Sequence, residues 1–188
     1  MQRLNTTLPG VFELRPKILR DERGSLSETY HSAKFAELGI NDVFVQDNHS
    51  ISKKGALRGL HYQLHKPQAK LCRVVEGEAL DVALDIRIGS PSYGKWVSVV
   101  LSAEHQNQIY VPVGFAHGFL ALTERVQFLY KSAALYDPAD EHGILWSDPD
   151  LAINWGAGVD SPVVSEKDRK SKRWAEIPQQ FLPHYRST

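Results

Sequence analysis

The chain carries a single cysteine, Cys72, among 188 residues. No intramolecular disulfide framework is available, which fits a reducing compartment. Neither sign of charge is in excess: Lys plus Arg and Asp plus Glu number 22 each. That removes the bulk electrostatic case for nucleic acid or a membrane surface as partner. Long apolar runs are missing too. Stretches such as Val97–Leu101 fall far short of the ~20 residues that cross a bilayer as a helix. The opening MQRLNTTLPGVFELRPK lacks the continuous apolar segment of a signal peptide. A cytoplasmic protein is expected. There is no fixed-period repeat, no low-complexity tract and no long linker, so one domain over 1–188 is expected.

What the chain does have is strand after short strand. Val11–Leu14, Ser25–Tyr30, Phe44–Asn48, Leu57–Gln63, Lys70–Glu76, Ala79–Arg87, Trp96–Leu101, Gln108–Val111, Gly118–Leu122 and Val126–Ala133 all read as strands. Gly, Pro, Asn or charged clusters separate many of them, and Asp21-Glu22-Arg23-Gly24 reads as a tight turn. Ser32–Leu38 reads as a short helix with Ser32 as N-cap and Gly39 as its stop. The pattern predicts an all-β sandwich or barrel. Within it, about 1–30 are N-terminal strands, about 45–155 the barrel, and about 160–188 a polar tail of one or two short helices packed outside.

RGLHYQ, 58–63, is the most informative stretch. It sets a cation (Arg58), an acid/base group (His61) and an amide (Gln63) along one strand, where the period of two is expected to turn all three to one face. Such a polar face looks inward only around a ligand cavity. Three further constellations follow. In Tyr110–Phe119, Pro112 and Gly114 set a turn with His117 just beyond it. Phe128-Leu-Tyr-Lys carries Tyr130 on a strand, and Ser165-Glu-Lys-Asp-Arg lies in the tail.

P-x-G-x-x-H at 112–117 resembles the second motif of the cupin superfamily of jelly-roll barrels. The whole set resembles the dTDP-4-dehydrorhamnose 3,5-epimerases. DERG (21–24), VQDNHS (45–50), LRGLHYQ (57–63), KLCRVVEGEALDVALDIR (70–87), SPSYGKW (90–96), VPVGFAHGF (111–119), FLYK (128–131), ILWSDPDLAINW (144–155) and SEKD (165–168) run in family order over nearly the whole chain. One departure stands out. Ser25-Leu26-Ser27 replaces the aromatic residues that follow DERG in the family, while Glu28 is kept.

The resemblance implies a cupin-type jelly roll, a nucleotide-diphosphate 4-keto-deoxysugar substrate, a homodimer joined through the 21–30 segment, and no cofactor or metal. Protons at C3 and C5 of such a sugar are both alpha to the C4 ketone, so inversion needs a base, an oxyanion stabiliser and an acid on the other face. His61 suits the base. The family pairs it with the aspartate at position 168; Asp85 is a second possible partner. Tyr130 suits the acid and Lys70 the oxyanion role. By resemblance Arg23, Arg58 and Lys167 hold the nucleotide or its diphosphate, Glu28, Gln46, Asp47, Asn48 and Glu141 are polar ligand-binding positions, and His117 binds the sugar or enolate. Trp146 and Trp155 are expected to anchor the tail. A metal-dependent cupin enzyme is the rival. It would need H-x-H, whereas this chain offers His61-x-x-x-His65, about 13 Å apart on a strand. A sugar-binding cupin without turnover is a third reading.

Overall fold

A computed structural model describes residues 1–156 and 161–185. Among the described residues fourteen strands are formed. The N-terminal ones are β1 (Gln2–Asn5), β2 (Phe12–Arg15), β3 (Ile18–Asp21) and β4 (Gly24–Ser27), followed by helix α1 (Ser32–Glu37). Next come β5 (Gln46–Lys53), β6 (Ala56–Gln63), β7 (Lys70–Glu76), β8 (Glu78–Asp85), β9 (Trp96–Ser102), β10 (Gln108–Val111), β11 (Phe115–Ala121) and β12 (Arg125–Ser132). Then β13 (Glu141–Gly143), β14 (Val163–Val164) and helix α2 (Glu166–Arg169) lead into the tail.

Two sheets face each other. One has the order β1-β2-β10-β7-β12-β5, the other β13-β6-β11-β8-β9 with β14 beside β6. The expected all-β jelly roll is what forms, because three apolar layers can be built from alternating strands. Cys72, Val74, Ile109 and Phe128 from one sheet meet Ala79, Ala83, Phe115 and Phe119 from the other between the layers. The outward residues Leu57, Leu60, Tyr62, Leu80, Val82 and Leu84 are covered by Ile144, Trp155, Val164 and Leu182. Phe12, Leu71 and Tyr110 pack on Phe35 and Ile40. β8 and β11 are thus covered on both faces, which is why they read as near-continuous apolar runs.

Several boundaries differ from the sequence reading. His117 lies just past the turn at Val113 and Gly114 as expected, but already inside β11, which starts at Phe115 rather than Gly118. The polar sequence at 46–53 continues as one strand because β12 pairs with it over its whole length. The helix begins at Ser32, but its N-cap is His31 and no side chain caps it. β1, β3, β13 and β14 carry too few alternating apolar residues to announce themselves. The tail is not merely external: Leu182 is buried and α2 delivers the buried Asp168 to the interior.

The larger correction concerns β6. Arg58 and His61 are three positions apart, so an unbroken strand would turn them to opposite faces. The structure places a bulge between them. His61 pairs with His117 and Arg58 with Phe119, three residues on β6 against two on β11. The extra residue resets the parity, so Arg58, His61 and Gln63 all line one cavity while Leu57, Leu60 and Tyr62 point outward. Gly59 makes this possible. Its φ is +115°, and a Cβ there would lie 2.6 Å from Gly118 Cα and 2.7 Å from the His117 carbonyl oxygen.

Candidate active site

The cavity lies between the sheets and measures about 700 Å³. β5 lends Gln46, Asn48, Ser50 and Ser52; β6 lends Arg58, His61 and Gln63; Lys70, His117 and Tyr130 come from β7, β11 and β12. Glu141, Lys167 and Asp168 close one side. His61 therefore stands on one sheet and Tyr130 on the other.

His61 Nε2 lies 2.6 Å from Asp168 Oδ1. The carboxylate's other oxygen accepts the Gly59 N–H at 3.3 Å, the donor that the bulge turns inward. Ser165 caps α2 by accepting the Asp168 N–H, which fixes where the aspartate emerges. Burial alone would push the Asp168 carboxyl up; the hydrogen bond and charge of His61, with the Gly59 N–H, outweigh it and hold the group below the usual aspartate value. An ionised acceptor on Nε2 leaves Nδ1 as the basic nitrogen. Nδ1 lies 3.8 Å from Glu141 Oε1. Glu141 is itself held low: burial opposes ionisation, but its contact with Lys167 and the nearby His61 prevail. Lys167 and the Tyr136 hydroxyl both bond Glu141 Oε2.

Lys70 is only 7% exposed, not a solvated strand end, and among the described residues it makes no ion pair. Burial lowers its pKa, against the pull of Cys72, Glu141 and Asp81. Burial also raises the Tyr130 phenol, with Cys72 and Glu141 adding to it, so the hydroxyl stays protonated at neutral pH. Arg58 donates to Ser52 Oγ at 3.2 Å. His117 Nε2 lies 2.8 Å from Oδ2 of the fully buried Asp81.

Three named residues are not brought to this cavity. Arg23 lies at the exposed tip of the β3–β4 hairpin, paired with Asp21. Glu28 is exposed and paired with Lys34. Asp47 sits one residue out of phase with Gln46 and Asn48, so its side chain turns to the outer face and pairs with Lys131 at 2.8 Å. Asp85 does not partner His61; it is fully buried and receives Arg87, Ser90 and Ser92. His65 lies beyond the end of β6 and gives its backbone N–H to Asp140. Trp155 donates to the Trp146 carbonyl at 2.9 Å beneath the tail.

Residues that the sequence reading missed include Ser50 and Ser52, which continue the inward parity of Gln46 and Asn48 along β5 and were legible from it. Tyr136, half exposed at the cavity wall, gave no periodic signal, since it follows the last residue of β12 in irregular chain. Asp81 was hidden inside an apolar run.

The family model for dTDP-4-dehydrorhamnose 3,5-epimerase matches residues 5–176. The dTDP-4-dehydrorhamnose 3,5-epimerase of Methanothermobacter thermautotrophicus is 47% identical over 93% of this chain and 95% of its own. That of Pseudomonas aeruginosa is 46% identical over 94% and 97%. The crystal structure of a dTDP-6-deoxy-D-glucose-3,5-epimerase from Legionella pneumophila, in complex with dTDP-4-keto-L-rhamnose, superposes with a TM-score of 0.96 at 45% identity, covering 99% of both chains. With a jelly roll, a polar cavity between its sheets and a family model spanning nearly its whole length, the chain belongs to the dTDP-4-dehydrorhamnose 3,5-epimerase family.

Proposed function

We propose that this chain epimerises dTDP-4-dehydro-6-deoxy-D-glucose at C3 and C5 to dTDP-4-dehydro-L-rhamnose, in dTDP-L-rhamnose biosynthesis. The observation that carries the mechanism is the His61–Asp168 pair in a cavity whose opposite sheet presents a protonated Tyr130. His61 removes the proton alpha to the ketone. Asp168 keeps the ring oriented and stabilises the imidazolium that results. The C4 oxygen gains charge as the enolate forms, and Lys70 supplies a cation already desolvated at the cavity wall, where such a charge acts most strongly. Tyr130 returns a proton to the other face, which inverts the centre.

Binding follows from charge and shape. Arg58 and Lys167 suit the diphosphate. Gln46, Asn48, Glu141 and His117 offer hydrogen bonds to sugar and base, and the exposed ring of Tyr136 suits stacking on a base. No cofactor or metal is needed for proton transfer of this kind. Arg23 and Glu28 contribute only if a second chain brings them. In a homodimer the 21–30 segment pairs with the partner's sheet and carries both residues toward the neighbouring cavity. The β3–β4 hairpin belongs to neither main sheet, and its cross-strand pair Leu19 and Leu26 is 53% and 71% exposed. β5 also leaves an open sheet edge.

The test is incubation with dTDP-4-keto-6-deoxyglucose in D2O. Deuterium at both C3 and C5, with inversion at both, is expected. Label at C3 alone would make the enzyme a mono-epimerase, and no label at either carbon would remove the enzymatic reading.

A further inference from the structure

A second cluster lies directly behind the cavity wall. Cys72 on β7, Asp81 on β8 and His117 on β11 converge from both sheets, all three buried. Their Sγ, carboxylate oxygen and ring nitrogen lie within 4.8 Å of one another. Cys72 Sγ is 3.7 Å from His117 Nε2, which is in turn 2.8 Å and 3.0 Å from the two Asp81 oxygens. Of the three, His117 alone lines the cavity. The epimerisation chemistry gives Cys72 no task.

Thiolate, imidazole and carboxylate are the donor set of zinc and softer divalent cations. Zinc–ligand distances of about 2.0–2.3 Å at a tetrahedral angle place donor atoms about 3.3–3.6 Å apart. The Cys72–His117 separation is already near this, and the His117–Asp81 contact needs to open by only about half an ångström. We propose that Cys72, Asp81 and His117 form an inhibitory site for a thiophilic divalent cation such as Zn2+ or Cd2+, entered from the cavity past His117. The binding rests on donor geometry alone. The inhibition rests on the cavity being the active site proposed above.

The exchange balances. The Cys72 thiol loses its proton to solvent and the sulfur bonds the metal. The His117 ring proton moves from Nε2, where Asp81 accepts it, to Nδ1, freeing the Nε2 lone pair. Two anionic donors then cancel the dication, which keeps the burial of charge affordable in a low-dielectric interior. A non-protein ligand completes the fourth position. Occupancy therefore turns His117 from acceptor to donor at the cavity wall, and this change disables the site.

The experiment titrates Cd2+ into the metal-free full chain. Three results are expected: a thiolate-to-cadmium charge-transfer band that saturates at one equivalent per chain, turnover lost in proportion to the band, and both reversed by chelator. Cys72→Val is near volume-conserving and should turn over normally in chelator. It should show no band, and inhibition should require cadmium concentrations higher by more than the ~10–100-fold that loss of a mere outer-shell partner costs. Cys72→Ser provides the same comparison if the valine variant folds poorly. Absence of the band in the wild type overturns the site, whatever the enzyme's substrate. A band without loss of turnover, equal inhibition of both variants and wild type, or activation by the metal overturns the inhibitory role.

Discussion

His61 and Tyr130 divide one proton transfer between two sheets, and their variants should fail differently. His61→Ala leaves no base, so epimerisation and solvent exchange at C3 and C5 should both fall by roughly 10²–10⁴-fold. Tyr130→Phe keeps the base. The enolate still forms and its proton can return to the face it left, so exchange should persist while inversion at C5 drops steeply. NMR of the product in D2O separates the two; a parallel collapse of exchange and inversion in Tyr130→Phe rules out the two-sided scheme. Asp168→Asn should sit between, with a weakened base. Asp140 offers a test of stability instead. Its buried carboxylate accepts the backbone N–H groups of Leu64, His65 and Lys66. Burial would raise its pKa, but those bonds lower it below the usual value. A depressed folded pKa gives a contribution that is complete above ~3.9 and disappears as pH falls through the folded value. Asp140→Asn should therefore cost about 1–3 kcal/mol at pH 7, and the gap in melting temperature should close in acid. A gap independent of pH would show that packing, not charge, holds the loop.

The bulge in β6 is the element on which the site depends. It brings Arg58 to the cavity, and it turns the Gly59 N–H to Asp168. Gly59→Ala would press a methyl group against the backbone of β11 at a φ of +115°. Overpacking of this kind costs roughly 1–3 kcal/mol, and displacement of Asp168 should lower kcat beyond what the loss of stability explains. A variant that loses melting temperature but keeps kcat would sever the bulge from catalysis. This element also marks the limit of what the sequence discloses. Lys70–Glu76 and Gln108–Val111 were legible to the residue because turn signals bound them on both sides. The facing of Arg58 was read by alternation, but alternation alone gives the wrong answer; the bulge depends on how closely β11 approaches, and no local pattern encodes that. Asp168 is similar. Taken by itself, Ser165-Glu-Lys-Asp is an ordinary helix start, and only the family resemblance tied it to His61 across 107 positions.

As a whole molecule, the chain places Arg23 and Glu28 away from the cavity and presents a hairpin outside both main sheets with paired exposed leucines. Assembly into a homodimer is the expected remedy. Light scattering at micromolar concentration should give twice the chain mass, and Leu26→Asp should reduce it to one. A monomeric wild type with full turnover would leave the hairpin without a role. Resemblance could suggest the dimer, but composition could not, since Leu26 sits between two serines as in any surface strand and β3 holds only the short pair Ile18-Leu19. The distance along the chain between His61 and Asp168 has a consequence in time. During synthesis at roughly 5–20 residues per second, the 107 positions between them take about 5–20 seconds to add. The sheets can close around the cavity while the carboxylate that orients the base has yet to be translated. Until α2 has left the ribosome and docked, His61 in the nascent chain is expected to work with no better than the weakened base of Asp168→Asn, so full activity arrives late in the life of each chain.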